Sequence, residues 1–148
     1  MTPYFTPQTL PLLEASAASW VGTPWRANSR VRGVGASCHF AVAGVLQDAG
    51  FSTSAVPDGS PGWSRHQADS LMERWLDGLP QLYAPVPVEE TQPGDIVGFR
   101  VGQCIHHLGI LLPGGRFFQC IHPHGAMIAS TAERLYRERV QRAWRPMA

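Results

Sequence analysis

Residues 33–48, GVGASCHFAVAGVLQD, join a glycine-rich loop to an apolar segment that begins at Cys38. Because the glycines can adopt positive φ, residues 28–37 are predicted to form a loop. The pattern then predicts a buried helix over residues 38–48, ended by Gly50. Cys38 therefore stands at a helix N-terminus, where unpaired backbone N–H groups and the helix dipole favour a thiolate and can stabilise an oxyanion.

Helical patterns fill the first half of the chain and strand patterns the second. Helices are predicted over residues 8–20, over residues 38–48, from Ser64 (with Gln67 completing a capping box) to about Gly78, and for a short stretch capped by Ser130 and Glu133. Strands are predicted over residues 95–101, 105–112, 116–122, 126–129 and 138–145. Helices followed by an antiparallel meander predict an α+β fold, with N-terminal helices packed on the sheet in one domain over residues 1–148.

Length and charge are those of a globular protein without a polyanionic partner. The chain has 148 residues, and its 12 Lys and Arg side chains nearly balance 11 Asp and Glu side chains. This balance indicates no nucleic-acid partner, and no apolar run approaches the roughly 20 residues that span a bilayer. The 3 cysteines do not make a disulfide framework, so free thiols are expected. The N-terminus does not read as a signal peptide, which predicts a cytoplasmic protein or one delivered by a phage or secretion apparatus.

A thiol nucleophile also needs a base, and two adjacent histidines are candidates. His106 and His107 lie on one predicted strand and point to opposite faces, so only one of them can face Cys38. A turn centred on Pro113 places His107 opposite Gln119, whose amide can hold one imidazole nitrogen and orient the other toward Cys38. A turn centred one residue later shifts this pairing. This predicts a Cys–His–polar triad in which His107 holds the thiol proton as an ion pair. In the alternative, Cys38 is a small apolar core residue and Gln119 lies on an exposed sheet face.

Five short segments carry a resemblance to a known family. They are WVGTPW at residues 20–25, GVGASC at 33–38, GDIVGF at 94–99, HLGILL at 107–112 and RFFQ at 116–119. In this order they resemble the NlpC-type cell-wall peptidases, which are papain-like cysteine hydrolases, and they look most like the phage-tail-associated members. The resemblance extends from about residue 12 to the C-terminus.

The resemblance implies a fold, a set of catalytic residues and a substrate class. It implies a papain-like domain with Cys38 as nucleophile, His107 as base and Gln119 as the third, polar member of a triad. It also implies hydrolysis of peptidoglycan-derived peptides, in which the bond typically cut is the isopeptide bond between D-glutamate and a diamino acid. It implies neither a metal nor a cofactor.

Three positions near these residues depart from the family pattern. Ser37 stands where Asp is frequent, His39 where Ser is frequent, and Trp25 where Tyr is usual. In relatives that Asp helps to recognise the free amine of the stem peptide, and Ser37 carries no such charge. Trp25 offers only an indole N–H donor, and His39 is either a second titrating group beside Cys38 or an exposed residue. We expect these three residues to bind the substrate, with altered specificity or lost activity as the consequence.

Three alternatives remain open from the sequence. The residues Cys104, His106, Cys120 and His122 form two Cys-x-His pairs that the same hairpin register places on the face away from His107, as ligands for a structural zinc ion. Their spacing is not the usual zinc-ligand spacing. A Cys–His acyltransferase fits the free thiols but lacks a membrane-binding surface. A binding or structural module with a vestigial site fits the departures at Ser37 and Trp25.

Overall fold

A computed structural model of the chain describes residues 2–53, 56–57 and 70–148. The predicted helix start at Ser64 and its partner Gln67 lie outside the described residues. The helices are α1 (Leu10–Trp20), α2 (Cys38–Asp48), α3 (Leu71–Asp77) and α4 (Arg134–Arg139). The strands are β1 (Arg30–Val31), β2 (Gly35–Ala36), β3 (Tyr83–Val86), β4 (Ile96–Val101), β5 (Cys104–Leu112), β6 (Arg116–Ile121), β7 (Gly125–Ser130) and β8 (Val140–Pro146).

The main sheet confirms the α+β prediction and adds a strand to it. Its order is β3-β8-β4-β5-β6-β7, and all neighbours are antiparallel. Strands β4 to β7 form the expected meander, while β8 returns to lie between β4 and β3. The sequence did not predict β3 because its segment carries Pro85 and is followed by Pro87. Proline is tolerated there because β3 is an edge strand, which needs ladder hydrogen bonds on one side only.

Two apolar clusters cover the two faces of the sheet. The larger joins helix residues such as Leu13, Val42 and Leu46 to sheet residues such as Ile110 and Phe118. The smaller contains the alternate sheet residues Val97, Phe99, Leu111 and Phe117, with Leu135 and Tyr136 of α4 packed against them. Because successive side chains of a strand point to opposite faces, this alternation places the first three helices on one face and α4 on the other.

Helix α2 has the predicted bounds, and the end of the helix explains why. Gly50 follows the C-cap residue Ala49 with φ +91°, a left-handed conformation that favours glycine. Its N–H donates to Gln47 O at 3.0 Å, and Phe51 N donates to Leu46 O at 2.9 Å. These two bonds form a Schellman motif, which satisfies carbonyls that a helix end otherwise leaves unpaired.

Helix α1 holds α2 against the sheet through specific contacts. Ser16 Oγ donates to Val45 O at 2.7 Å, and Trp20 Nε1 donates to Asp48 at 2.8 Å. A Cβ added at Gly44 would lie 2.4 Å from the Trp20 ring, so glycine is what permits this close approach. These contacts join α1 to the C-terminal half of α2.

The register of the β5–β6 hairpin differs from the prediction. Gly109 pairs with Gln119 and Leu112 with Arg116, so the turn is centred on Gly114 and not on Pro113. The prediction that His107 lies directly opposite Gln119 is therefore wrong. The pairing is displaced by two residues, however, and a two-residue displacement leaves each side chain on its original face, because the side-chain period of a strand is two.

Two further local predictions are wrong. Residues 28–37 are not a plain loop, because β1 and β2 pair within them as a short antiparallel hairpin. The capping box at Ser130 and Glu133 does not form either. Ser130 Oγ accepts from Ala132 N at 3.1 Å, and α4 starts only after Glu133, whose side chain makes no capping bond. Among the described residues, no helix has the length and apolar character required to cross a membrane.

Candidate active site

Cys38 is the first residue of α2, and the segment before it is held from both sides. Ala36 pairs with Arg30 across the small hairpin and forms a parallel bridge with Trp25. Its carbonyl accepts from Cys120 Sγ at 3.2 Å. These contacts link the loop before the helix to β6, so the thiol is placed beside the sheet.

The Cys38 thiol is almost fully buried, with 9% of the residue exposed. Its sulfur lies 3.7 Å from His106 O and 3.9 Å from His39 Nδ1. Burial raises the pKa of Cys38 to about 11, although backbone N–H groups of Leu108, His39 and Cys38 itself act in the opposite direction. The prediction of a lowered thiol pKa is wrong for this structure, because loss of solvent outweighs the helix N-terminus. The thiol is neutral at pH 7.

His107 lies on β5 beside a bulge. Phe99 pairs with His107 and Arg100 with Ile105, so His106 is an extra residue that breaks the alternation of β5. The His107 ring lies 5.3 Å from the ring of Phe99 and is 6% exposed. Burial lowers its pKa to about 4, against the raising effect of Gln119, and His106 lowers it further. The imidazole is therefore neutral at pH 7.

The predicted contact between His107 and Gln119 is present. His107 Nε2 lies 2.8 Å from Gln119 Oε1, and Gln119 is only 3% exposed. Because an amide oxygen only accepts, Nε2 carries the proton and Nδ1 keeps a free lone pair. The pair forms on a diagonal of the sheet, since the residue directly opposite Gln119 is Gly109.

The predicted ion pair between Cys38 and His107 is not formed in this structure. Within the described chain, the sulfur meets β5 at the carbonyl that precedes His107, and it makes no hydrogen bond to the His107 ring. The raised thiol pKa and the lowered imidazole pKa both favour the uncharged pair. The structure thus brings the thiol to the strand that carries His107 and leaves both groups neutral.

The three residues expected to bind substrate have distinct surroundings. Trp25 is half-buried and meets the His122 ring edge-on, with ring centroids 4.9 Å apart. Ser37 is 5% exposed, and its Oγ has no hydrogen-bond partner in the described part of the chain. His39 is 4% exposed rather than a surface residue, and its Nε2 lies 2.8 Å from Pro57 O.

The zinc alternative gains no support from the geometry. Within residues 2–53, 56–57 and 70–148, no three His, Cys, Asp or Glu side chains are grouped so that they could hold a metal ion. Cys120 instead packs in the same apolar cluster as Cys38, and burial raises its pKa to about 12. The predicted grouping of Cys104 and His106 with Cys120 and His122 on one face is wrong, because His106 is the extra residue of the bulge and breaks the alternation of β5.

Two neighbours of the Cys38 thiol were not predicted from the sequence. The backbone N–H of Leu108 acts on Cys38, and Cys120 lies close enough to couple electrostatically with it. Both contacts depend on how α2 meets the β5–β6 hairpin, which no local pattern encodes.

The chain matches known proteins in its fold but not in its sequence. The sequence matches no family model and no curated protein. Solved structures match it: an NLP/P60 family protein similar to a lipoprotein, from Staphylococcus aureus, superposes with a TM-score of 0.69 at 20% identity, over 100% of this chain and 45% of that one. The NlpC/P60 fold is the fold of this chain.

Two other solved structures that match are named as peptidoglycan hydrolases. The NlpC/P60 domain of SagA matches with a TM-score of 0.55 at 18% identity, over 90% of this chain and 95% of that one. RipB from Mycobacterium tuberculosis matches with a TM-score of 0.58 at 15% identity, over 93% of this chain and 64% of that one. The chain thus spans less than half of the Staphylococcus structure and nearly all of the SagA domain. These likenesses confirm the predicted papain-like fold.

Proposed function

We propose that this chain is a cysteine hydrolase that cleaves an amide or isopeptide bond in peptidoglycan stem peptides, of the type between D-glutamate and a diamino acid. The observation that carries the proposal is the 2.8 Å bond between His107 and Gln119, on the strand that the Cys38 sulfur contacts. The fold supports the substrate class, because SagA and RipB, which share the fold, are peptidoglycan hydrolases.

The protonation states define the first step of the mechanism. Because the thiol and the imidazole are both neutral, proton transfer accompanies the attack on the substrate and does not precede it. Cys38 Sγ bonds to the carbonyl carbon while its proton passes to Nδ1 of His107, which is free because Nε2 faces Gln119. The carbonyl electron pair moves to oxygen, and backbone N–H groups at the start of α2 stabilise that charge.

The second half of the reaction returns the proton. The tetrahedral adduct collapses, the carbon–nitrogen bond breaks, and His107 gives its proton to the leaving amine. Water then hydrolyses the thioester and restores the thiol. Gln119 keeps the His107 ring in the required tautomer throughout, which is the part that the third member plays in Cys–His triads.

Turnover of a defined stem peptide by variants tests this proposal. Cleavage of a peptide with the D-glutamate–diamino acid bond is followed by mass spectrometry for the wild type, Cys38→Ala and His107→Ala. We expect a loss of at least about 10³-fold for Cys38→Ala and about 10²- to 10⁴-fold for His107→Ala. Cys104→Ala is the matched control, since it also removes a buried thiol but one outside the site, and it should keep wild-type rates.

Cleavage that survives in Cys38→Ala would refute the proposal. A second candidate, a binding module with a vestigial site, is favoured by the raised pKa of Cys38 and by the missing bond between its sulfur and His107. That candidate predicts no turnover by the wild type, together with retention on sedimented peptidoglycan that Cys38→Ala leaves unchanged.

A further inference from the structure

The part of the chain that leads into Cys38 carries positive charge only. Residues 15–47 contain three arginines and no acidic residue, although the whole chain has a net charge of only +1. The three are Arg26, Arg30 and Arg32, and all are exposed. Because a local excess of one sign attracts ligands of the opposite sign, this part of the surface favours an anionic ligand.

Backbone pairing places two of these arginines on either side of Ala36, two residues before the nucleophile. Arg30 pairs with Ala36 across the β1–β2 hairpin, and Arg26 N donates to Ala36 O at 2.9 Å. Neighbouring strands lie about 4.8 Å apart and each extended residue adds about 3.3 Å, so both arginines have their Cα within about 12 Å of the Cα of Cys38. The two cationic side chains therefore start beside the candidate site.

The three arginines differ in their partners. Arg32 Nη1 lies 3.6 Å from Asp48 Oδ2 and donates to Ser19 Oγ at 3.3 Å. Among the described residues, no carboxylate forms an ion pair with Arg26 or Arg30. Two positive charges near the nucleophile are thus left without a counter-charge in the described chain.

The path of the Arg26 side chain is set by the hairpin beneath it. A Cβ added at Gly35 would lie 2.9 Å from the Arg26 Cβ and 3.0 Å from its Cδ, so the arginine stem occupies the space that a side chain at position 35 would need. Packing of the aliphatic stem leaves the guanidinium at the surface. Because the stem is already ordered, Arg26 loses less conformational freedom when it binds a ligand.

We propose that Arg26 and Arg30 form a carboxylate-binding rim, which makes the hydrolase prefer stem peptides whose D-glutamate keeps a free α-carboxylate. The inference rests on the proposed function and adds a specificity to it. In the isopeptide bond the γ-carboxyl of D-glutamate is the acyl group, so the α-carboxyl is the nearest charge on that side of the bond. It enters the site together with the carbon that Cys38 attacks.

Geometry and chemistry both suit this assignment. Four carbon–carbon bonds separate the α-carboxylate from the attacked carbon, which places the two about 5 Å apart. The long arginine side chains of the rim span the remaining distance. A guanidinium binds a carboxylate through two parallel N–H···O bonds. When the α-carboxyl is amidated, as in D-isoglutamine, the peptide is neutral at this position and forms no such ion pair.

Two stem peptides that differ only in this group, one with D-glutamate and one with D-isoglutamine, test the proposal. Their affinities for Cys38→Ala are measured by calorimetry, and their cleavage by the protein with Cys38 intact is followed by mass spectrometry. We expect the D-glutamate peptide to bind at least about fivefold more tightly. Raising the NaCl concentration to about 0.5 M should reduce this preference, because the arginines are exposed and their charges are screened.

Variants of the rim decide where the preference comes from. In the Cys38→Ala protein, Arg26→Gln with Arg30→Gln should reduce the preference to less than about twofold by weakening the D-glutamate peptide alone. Arg26→Lys with Arg30→Lys keeps both charges and should keep most of it. The matched control is Arg137→Gln with Arg139→Gln, which removes the same charge from α4 on the opposite face of the sheet and should change nothing.

Equal affinities of Cys38→Ala for the two peptides, or a preference that survives in the glutamine variant of the rim, would overturn the proposal. A preference lost equally in the α4 control would also overturn it, because net charge would then be the cause. Binding and cleavage are separate measurements, so the two hypotheses fail separately. A rim-dependent preference without cleavage of either peptide rejects the proposed function and keeps the rim, whereas cleavage of both peptides with no rim-dependent preference does the reverse.

Discussion

The Cys38 thiol lies between two walls that differ in how they follow the family pattern. The helical wall is the start of α2, with Ser37, Cys38 and His39. The strand wall is the end of the β5–β6 hairpin, with His107 and Gln119. The strand wall has the residues that the resemblance assigns to base and third member, and they are hydrogen-bonded at 2.8 Å. The helical wall departs from the pattern on both sides of the cysteine.

In the proposed mechanism, this difference separates the residues of acid–base chemistry from those of substrate recognition. On the strand wall, burial and one hydrogen bond give His107 a defined tautomer and a neutral charge. On the helical wall, the Ser37 hydroxyl is buried without a partner in the described chain, and His39 contacts the sulfur. The proton-transfer apparatus of the proposed hydrolase is thus kept on the strand, while the helix carries the changes that would alter the substrate or the reactivity of the thiol.

The largest expected difference between the strand wall and the helical wall is in the free energy of unfolding at low pH, and it comes from His107. Burial lowers its pKa from 6.5 to about 4, so between these values the unfolded chain binds more protons than the folded one. Stability therefore rises with pH across that window, and it is lost as the pH falls from 6.5 toward 4. The shift corresponds to about 3 kcal/mol. Urea unfolding at pH 7 and pH 4 measures the loss.

His107→Gln is the matched control for this prediction, because it removes the titrating group and keeps a side chain that can bond to Gln119. The wild type should lose about 3 kcal/mol more than the variant between pH 7 and pH 4. Parallel stability curves for the two proteins would mean that His107 is not held neutral by burial, and the distinction between the strand wall and the helical wall would then lose its electrostatic basis.

Much of the fold could be predicted from local patterns, and the predictions that were wrong or missing share a cause. The bounds of α2 and the meander follow from apolar periodicity and from glycines at the turns. The predicted register of the β5–β6 hairpin was wrong. Residues 113–115 form the loop, with positive φ at Gly114 and Gly115, and sequence alone does not choose between neighbouring turn geometries. Strand β3 was not predicted because its prolines are tolerated only at the edge of a sheet. Which strand lies at the edge is defined only by the assembled sheet.

The candidate site shows the same division between local and assembled information. The hydrogen bond between the side chains of His107 and Gln119 was predicted correctly despite the wrong register, because the two-residue displacement preserves the face. The charge of Cys38 was predicted wrongly, because the pKa of the thiol depends on how completely the sheet and α2 exclude water. The contact between His39 Nε2 and Pro57 O was not predicted either, because it joins residues that no local pattern connects.

An intermediate effect is expected from Gln119, which touches the base and not the reacting atoms. Gln119→Ala should lower kcat about tenfold and leave KM nearly unchanged, because the ring loses its orientation but substrate contacts remain. Gln119→Glu provides a second readout, since a carboxylate beside Nε2 stabilises the imidazolium and should shift the acid limb of the pH–rate profile upward. An unchanged profile in Gln119→Glu would show that Gln119 has only a packing role and would weaken the strand wall as a functional unit.

The smallest effect is expected from Ser37, and Ser70 is its matched control. Both serines are buried N-cap residues, but Ser70 Oγ accepts from Glu73 N at 3.1 Å and donates to Ile105 O, whereas Ser37 Oγ makes no capping bond. Ser70→Ala should cost about 2 kcal/mol of unfolding free energy, and Ser37→Ala less than about 0.5 kcal/mol. If Ser37 binds substrate, Ser37→Ala should nevertheless raise KM severalfold at constant kcat. Equal stability losses in the two variants would mean that Ser37 Oγ already has a partner in the folded chain, and the contrast with Ser70 would then be lost.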